Sequence, residues 1–258
     1  MQLHALPAFE DNYIWMLTQD GDAWAVDPGD AGPVLDFVGT HALQLRGILI
    51  THHHGDHTGG VAALQSACPE LSVVGPANER LSFPYQAVRE GDDVAVLGQH
   101  FRVLDIPGHT AGHIAYFAQA SDQVPLLFCG DTLFHGGCGR VFEGTPEQMW
   151  ASLQKLAALP AETRVCCAHE YTLANLRFAL AVDGSNADLQ AAMVACEHLR
   201  AKGLSTLPSS IGHERLINPF LRASADAVAA AARAHSHQDL KTDSAVFAAL
   251  REWKNNFR

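Results

Sequence analysis

Along the first two thirds of the chain, short apolar runs rich in β-branched and aromatic residues alternate with turn residues, which is the signature of strands. Tyr13-Ile14-Trp15-Met16-Leu17 and Ala23-Trp24-Ala25-Val26 are two such runs, the second stopped by Asp27-Pro28-Gly29-Asp30. Gly47-Ile48-Leu49-Ile50-Thr51 is a third. Residues 32–43 have helical character, so strand and helix alternate as in an α/β layered fold. Runs at 101–106, 124–129 and 164–168 predict further strands. From Thr145 the period changes. Thr145-Pro146-Glu147-Gln148 offers an N-cap, a proline at the first helical position and a glutamine at the third, which predicts a helix to about residue 159. Helices are predicted at 172–182, 187–202, 224–234 with Ser224 as N-cap, and 244–257. The pattern divides the chain into a layered domain at 1–171 and a helical domain at 172–258.

The end of the third run carries chemistry rather than core. Thr51-His52-His53-His54-Gly55-Asp56-His57 sets four metal-ligand types in H-x-H-x-D-H spacing at the end of a buried strand. Residues two apart in extended backbone point the same way, so His52 and His54 can share one ion, whereas adjacent Asp56 and His57 must diverge or turn. One motif can thus feed two metals. His53, by the same alternation, points away toward packing or solvent. A His-rich loop can also be a solvated turn, but four ligand-type residues at this spacing favour metal binding. Imidazole and carboxylate donors suit zinc, iron or manganese better than calcium or magnesium. Three later strands each lead into one more ligand type, His109, Asp131 and His169. Ligand residues gathered at the carboxyl ends of strands are the expected place for an active site in layered α/β folds.

Composition narrows the classes. With 258 residues, 48% of them hydrophobic, the chain can bury a sizeable core, and a formal charge of -11 disfavours a nucleic-acid partner. The start Met1-Gln2-Leu3-His4 carries neither a basic segment nor an apolar one, and no later window is long enough to span a bilayer. A cytoplasmic protein with no membrane association is expected. Six cysteines, including adjacent Cys166 and Cys167 in an apolar run, read as reduced thiols; Cys129 and Cys138, on either side of Asp131, read as small hydrophobes.

His52, His54, Asp56 and His57, with the later Gly108-His109-Thr110-Ala111-Gly112-His113, Cys129-Gly130-Asp131-Thr132 and Ala168-His169-Glu170-Tyr171, resemble the ligand motifs of the metallo-β-lactamase fold superfamily. The resemblance implies a four-layer αββα sandwich with an added C-terminal helical domain. Within that superfamily the chain is similar to the glyoxalase II, or hydroxyacylglutathione hydrolase, family. Asp11-Asn12-Tyr13, Gly137-Cys138-Gly139-Arg140, Glu143-Gly144-Thr145, Asn218-Pro219-Phe220-Leu221-Arg222 and Leu250-Arg251-Glu252-Trp253-Lys254-Asn255 carry that narrower likeness.

The resemblance assigns His52, His54 and His109 to one metal and Asp56, His57 and His169 to another, with Asp131 bridging and His113 not ligating. It implies two divalent ions, zinc first with iron or manganese as alternatives. The implied reaction is attack of a metal-bridging hydroxide on S-D-lactoylglutathione or another 2-hydroxyacyl glutathione thioester. D-Lactate and glutathione are the products, in the second step of methylglyoxal removal. Asp56 and Asp131 would be the catalytic carboxylates, and Asp27 would orient a ligand. Arg140, Phe142, Tyr171, Arg251 and Lys254 fall at the family's substrate positions. Phe142 stands where relatives commonly have Tyr, and Gly55 where a bulkier residue often occurs. Arg251 and Lys254, three apart on the last predicted helix, share a face and can reach one anion. A monomer is expected. The alternatives are a mononuclear iron enzyme of the persulfide dioxygenase type on the same fold, which needs fewer ligands, and a non-catalytic metal-stabilised binding module.

Overall fold

A computed structural model describes residues 1–119 and 124–257. The chain forms two compact units, Met1–Asp105 with Thr110–Gly130, and Ile106–His109 with the chain from Asp131 onward.

The first unit is built on a sheet in the order β1 (Gln2–Ala8), β2 (Asn12–Gln19), β3 (Asp22–Val26), β4 (Gln44–Leu49), β5 (Ser72–Pro76) and β6 (Gln86–Val88). β1 to β3 form an antiparallel meander, and β3 to β6 run parallel. The parallel part needs crossovers; helices supply the first two, and residues 77–85, which form no helix, supply the third. α1 (Ala31–Thr40), capped by the Asp30 carboxylate on Gly32 N at 2.9 Å, joins β3 to β4. α2 (Gly55–Thr58) and α3 (Val61–Ala67) join β4 to β5. Ile14, Met16, Ala25, Ile48 and Ile50 from the sheet region bury against Val34, Val61 and Leu64 of these helices. The same unit holds an antiparallel set, β7 (Asp93–Val96), β8 (Gln99–Asp105), β9 (Ile114–Ala118) and β10 (Leu126–Phe128). Buried Tyr116 on β9 donates its hydroxyl to Ile50 O at 2.9 Å, which ties this set to the chain entering the histidine motif.

The second unit opens with a two-stranded hairpin, β11 (Leu133–Phe134) and β12 (Gly137–Cys138). α4 (Pro146–Ala157) comes next with the expected capping box: Thr145 Oγ1 accepts from Gln148 N at 3.2 Å, and Gln148 Oε1 accepts from Thr145 N at 2.9 Å. β13 (Arg164–Cys166) pairs with β14 (Ser209–Ser210). The helices are α5 (Thr172–Val182), α6 (Ala187–Ala201), α7 (Ile211–Ile217), α8 (Asp226–Ser236) and α9 (Asp243–Asn256). Leu176 and Ala179 of α5 pack on Leu189, Ala192 and Cys196 of α6 and Ile217 of α7. Phe178 is surrounded by Phe220, Trp253 and Phe257, at ring separations of 5.7, 5.4 and 5.3 Å. The aromatic residues of α9 and its C-cap therefore lock it against α5.

Two helix starts differ from the sequence expectation. α8 is capped by Ala225 without a side-chain bond, not by Ser224, because Ala225 N closes a turn onto Arg222 O at 2.9 Å and pushes the first helical residue to Asp226. An aspartate there suits the positive helix end. α9 begins at Asp243 because Thr242 accepts from Ala245 N at 3.2 Å. Strands β1, β5 to β7, β9, β11, β12 and β14 and helices α2 and α7 have no counterpart among the elements that the sequence pattern predicts. No disulfide joins the cysteines among the described residues. No helix among those residues is long and apolar enough to cross a membrane.

Candidate metal centre and active site

In the first unit the chain leaves β4 in extended form and then turns into α2 at Gly55. Extended backbone puts His52 and His54 on one side: His52 Nε2 lies 3.1 Å from His54 Nδ1. The helical turn brings Asp56 and His57 together instead of letting them diverge, with Asp56 Oδ2 3.5 Å from His57 Nε2. His53 turns away and pairs through Nδ1 with Glu79 at 2.8 Å.

The neighbours set the tautomers. Asp27, buried, accepts Thr51 N at 2.8 Å, the Thr51 hydroxyl at 2.6 Å and His57 Nδ1 at 3.1 Å. The Thr51 proton is committed to Asp27, so Thr51 Oγ1 accepts from His52 Nδ1 at 3.1 Å. His52 and His57 therefore carry their lone pairs on Nε2, oriented by a carboxylate and a hydroxyl as metal-binding imidazoles commonly are. Asn12 Nδ2 donates to Asp56 Oδ2 at 3.1 Å and fixes that carboxylate. His113 is fully buried, stacks on His52 at 4.6 Å and bonds through Nδ1 to Ile114 O, so it packs the motif from behind.

In the second unit, the Asp131 carboxylate faces two imidazoles at once. Oδ2 is 3.4 Å from His109 Nε2, and Oδ1 is 3.3 Å from His169 Nε2. Arg140 O accepts from His109 Nδ1 at 2.9 Å, so Nε2 again carries the lone pair. Gly108, before it, has φ of +148°, and a Cβ there would meet Met149 Cβ at 2.7 Å; only glycine fits the turn that presents His109. Tyr171 stacks on His169 at 4.7 Å, Phe134 stands edge-on to both, and exposed Phe142 packs 5.2 Å from His109.

These atom pairs test whether a metal fits. Ligands about 2.0–2.1 Å from a tetrahedral ion lie about 3.3 Å from one another. The four pairs measured within the units span 3.1 to 3.5 Å and present only imidazole nitrogen and carboxylate oxygen. The donor set fits a divalent ion of the zinc, iron or manganese type.

The cations of the helical tail are disposed unequally. Arg251 is buried; its guanidinium donates to Cys138 O at 2.8 Å and to Asn255 Oδ1 at 3.2 Å and lies over Phe220 at 5.1 Å. Lys254 Nζ donates to Ala174 O at 2.9 Å and lies over Phe178. Burial, then Arg251 and Arg140, push the Lys254 ammonium down to about 8. Arg140 is exposed. Among the described residues no carboxylate pairs with any of the three.

A family model described as "Metallo-beta-lactamase superfamily" matches residues 9–169, and one described as "Hydroxyacylglutathione hydrolase C-terminus" matches residues 170–257. A curated hydroxyacylglutathione hydrolase of Cupriavidus taiwanensis is 55% identical over the whole of both chains. The chain belongs to the hydroxyacylglutathione hydrolase family. Among solved structures, ETHE1 from Myxococcus xanthus matches with a TM-score of 0.66 and 26% identity over all of both chains. TTHA1623 in a di-iron-bound form matches with a TM-score of 0.61 and 26% identity, over 84% of this chain and 98% of that one. The chain thus has the metallo-β-lactamase fold with a C-terminal helical region, and its fold and His/Asp donors support divalent metal binding.

Sequence reasoning missed several residues that hold this family member's site in shape. Glu79 receives both His53 and the Thr110 hydroxyl. Glu170 anchors the His169–Tyr171 stretch to Thr206 N at 3.0 Å. Neither glutamate sits at ligand spacing; Glu79 lies outside every motif, and Glu170, within Ala168-His169-Glu170-Tyr171, finds its partner Thr206 36 positions away. Asn12 did stand in a quoted motif, but its partner Asp56 is 44 positions away.

Proposed function

We propose that the protein is a binuclear metallohydrolase that cleaves S-D-lactoylglutathione, and other 2-hydroxyacyl thioesters of glutathione, to the hydroxy acid and glutathione. It acts as a cytoplasmic monomer in the second step of methylglyoxal removal. Residues 1–171 carry the metal-binding machinery and 172–258 the helical part of the substrate site. The observation that carries the reading is Asp131, whose two carboxylate oxygens each face a different ligand-type imidazole. On this reading His52, His54 and His109 hold one ion, Asp56, His57 and His169 hold the other, and Asp131 serves both. Zinc is the proposed metal, with iron or manganese accepted by the same donors. The di-iron form of the neighbouring TTHA1623 structure is consistent with two metals.

When bound, two such ions acidify water toward neutral pH and stabilise charge that builds on a carbonyl oxygen. The chain does the rest. Asp56, held by Asn12, orients the attacking water. Water gives one proton to solvent and adds its oxygen to the thioester carbon, the carbon–sulfur bond breaks with its electron pair passing to sulfur, and the carboxylic acid formed releases the second proton to solvent. The leaving thiolate has a conjugate acid of ordinary pKa about 8.5, so it departs without a dedicated acid. Lys254 and Arg140 receive glutathione carboxylate. Arg251, committed to the Cys138 carbonyl, adds charge and fixes the floor beneath them. Phe142 and Tyr171, packed on His109 and His169, form walls, and Tyr171 also offers a hydroxyl. Three cations without carboxylate partners, in a chain of net charge -11, support an anion site there.

The test is Asp131→Ala. Loss of one or both metals together with at least about a hundredfold fall in kcat is expected, since a shared ligand rather than an orienting residue is removed. Retention of two metals with near-native turnover would contradict the reading.

A further inference from the structure

The Asn218-Pro219-Phe220-Leu221-Arg222 stretch has no task in the reaction above, and it leads to a buried polar knot in the second unit. Glu214 on α7 is fully buried. Four donors close on its carboxylate: His135 Nδ1 at 2.7 Å and the Ser209 hydroxyl on Oε1, Gly136 N at 2.9 Å and Asn218 Nδ2 at 3.0 Å on Oε2. Burial opposes charge on both partners, yet their mutual attraction outweighs it, raising His135 to about 10 and lowering Glu214. The Cys196 thiol adjoins the other ring nitrogen at 3.6 Å. A buried ion pair of this kind adds little stability over apolar packing, and its best-attested use is to fix one arrangement among several.

What it grips is the β11–β12 hairpin. His135 and Gly136 are the hairpin turn. Asn218 Nδ2 also donates to Phe134 O at 3.3 Å and Gly137 O at 2.9 Å, and Asn175 Nδ2 donates to His135 O at 3.2 Å. The hairpin legs are two residues each, and a site residue stands two positions beyond each of them. Asp131 lies just before Leu133, and Gly139 N is bonded back to Thr132 O at 3.1 Å. Arg140, two residues past Cys138, supplies the carbonyl that orients His109. A hairpin this short transmits a shift of its turn to both ends.

We infer that the Glu214–His135–Asn218 knot is a positioning device that sets the Asp131 carboxylate, and through the Arg140 carbonyl the His109 ring, for metal binding. The inference rests on the ligand roles proposed above for Asp131 and His109. It gives the helical segment a second task besides receiving substrate: its α7 end holds a metal-ligand hairpin in register.

The test is Glu214→Gln, which keeps the volume and removes the charge. Zinc affinity is measured by chelator competition, alongside kcat and KM for S-D-lactoylglutathione and the circular dichroism of the metal-free protein. The expected result is a folded protein with zinc affinity and kcat each lowered at least about tenfold and KM within about twofold of wild type. Unchanged zinc affinity and kcat in a variant that only melts earlier would overturn the inference. If Glu214→Gln does not fold, Asn218→Ser leaves the ion pair, releases Phe134 and Gly137, and is judged by the same criteria. Failure of the wild type to cleave the thioester would withdraw the functional reading while leaving the zinc-affinity comparison decisive for the knot.

Discussion

Asp27→Asn should damage the protein twice, and the structure allows both effects to be sized. Asp27 sits at φ 52°, a left-handed conformation that Asn tolerates as well as Asp, so the backbone is not perturbed. Its carboxylate accepts three hydrogen bonds, one on Oδ1 from Thr51 N and two on Oδ2 from the Thr51 hydroxyl and His57 Nδ1. An amide can keep its oxygen toward only one side. Facing it toward Thr51 Oγ1 and His57 is the better choice and leaves the Thr51 N–H against an NH2 group. A stranded buried donor costs about 1–3 kcal/mol, and loss of charge assistance in the other two bonds costs about 1 kcal/mol each. The metal-free variant should therefore be about 3–5 kcal/mol less stable in urea unfolding. Weaker orientation of His57 Nε2, and through Thr51 of His52 Nε2, should cost a further 10–100-fold, as a rough range, in metal affinity by chelator competition. A variant within about 1 kcal/mol of wild-type stability and about twofold of its metal affinity would refute the view that Asp27 organises both histidines.

Lys254 predicts a pH dependence. Burial and the neighbouring arginines lower its ammonium from the ordinary 10.5 to about 8, so it is charged below that pH and neutral above. KM for the glutathione thioester should rise as pH passes upward through about 8, and Lys254→Met should abolish the rise. Because the unfolded chain holds that proton up to 10.5, the substrate-free protein should gain stability with pH between about 8 and 10.5, the reverse of the binding trend. Two glycines form a contrasting pair. Gly139→Ala would drive a Cβ into the Asp131 carbonyl oxygen and should reduce metal content and soluble yield together, whereas Gly55→Ala meets no atom within 4 Å and should leave both unchanged.

The parts of this molecule that were legible in its sequence are those written in local order. The strand entering His52, the capping box of α4 and the α5 helix depend on neighbours within a few positions, and the structure has them where the pattern put them. The alternation that sends His53 away from His52 and His54 is local too. The supports are not. Glu79 serves His53 across 26 positions, Glu214 serves His135 across 79, and Arg251 reaches Cys138 across 113. A glutamate in a short, glycine-containing helix such as α7 gives no periodic signal, and its burial is decided by tertiary packing. Ser224 shows the local limit: a good capping residue one position early lost to the turn that closes on Arg222.

Hydrolysis at a two-metal site is tested most directly by the thioester absorbance after zinc-loaded protein is mixed with S-D-lactoylglutathione, with dissolved oxygen recorded in the same cell. Rapid loss of absorbance with release of one thiol per thioester and no oxygen uptake is the predicted result. A stable thioester in the presence of two bound metals, or oxygen consumption when iron-loaded protein meets glutathione persulfide, would contradict it.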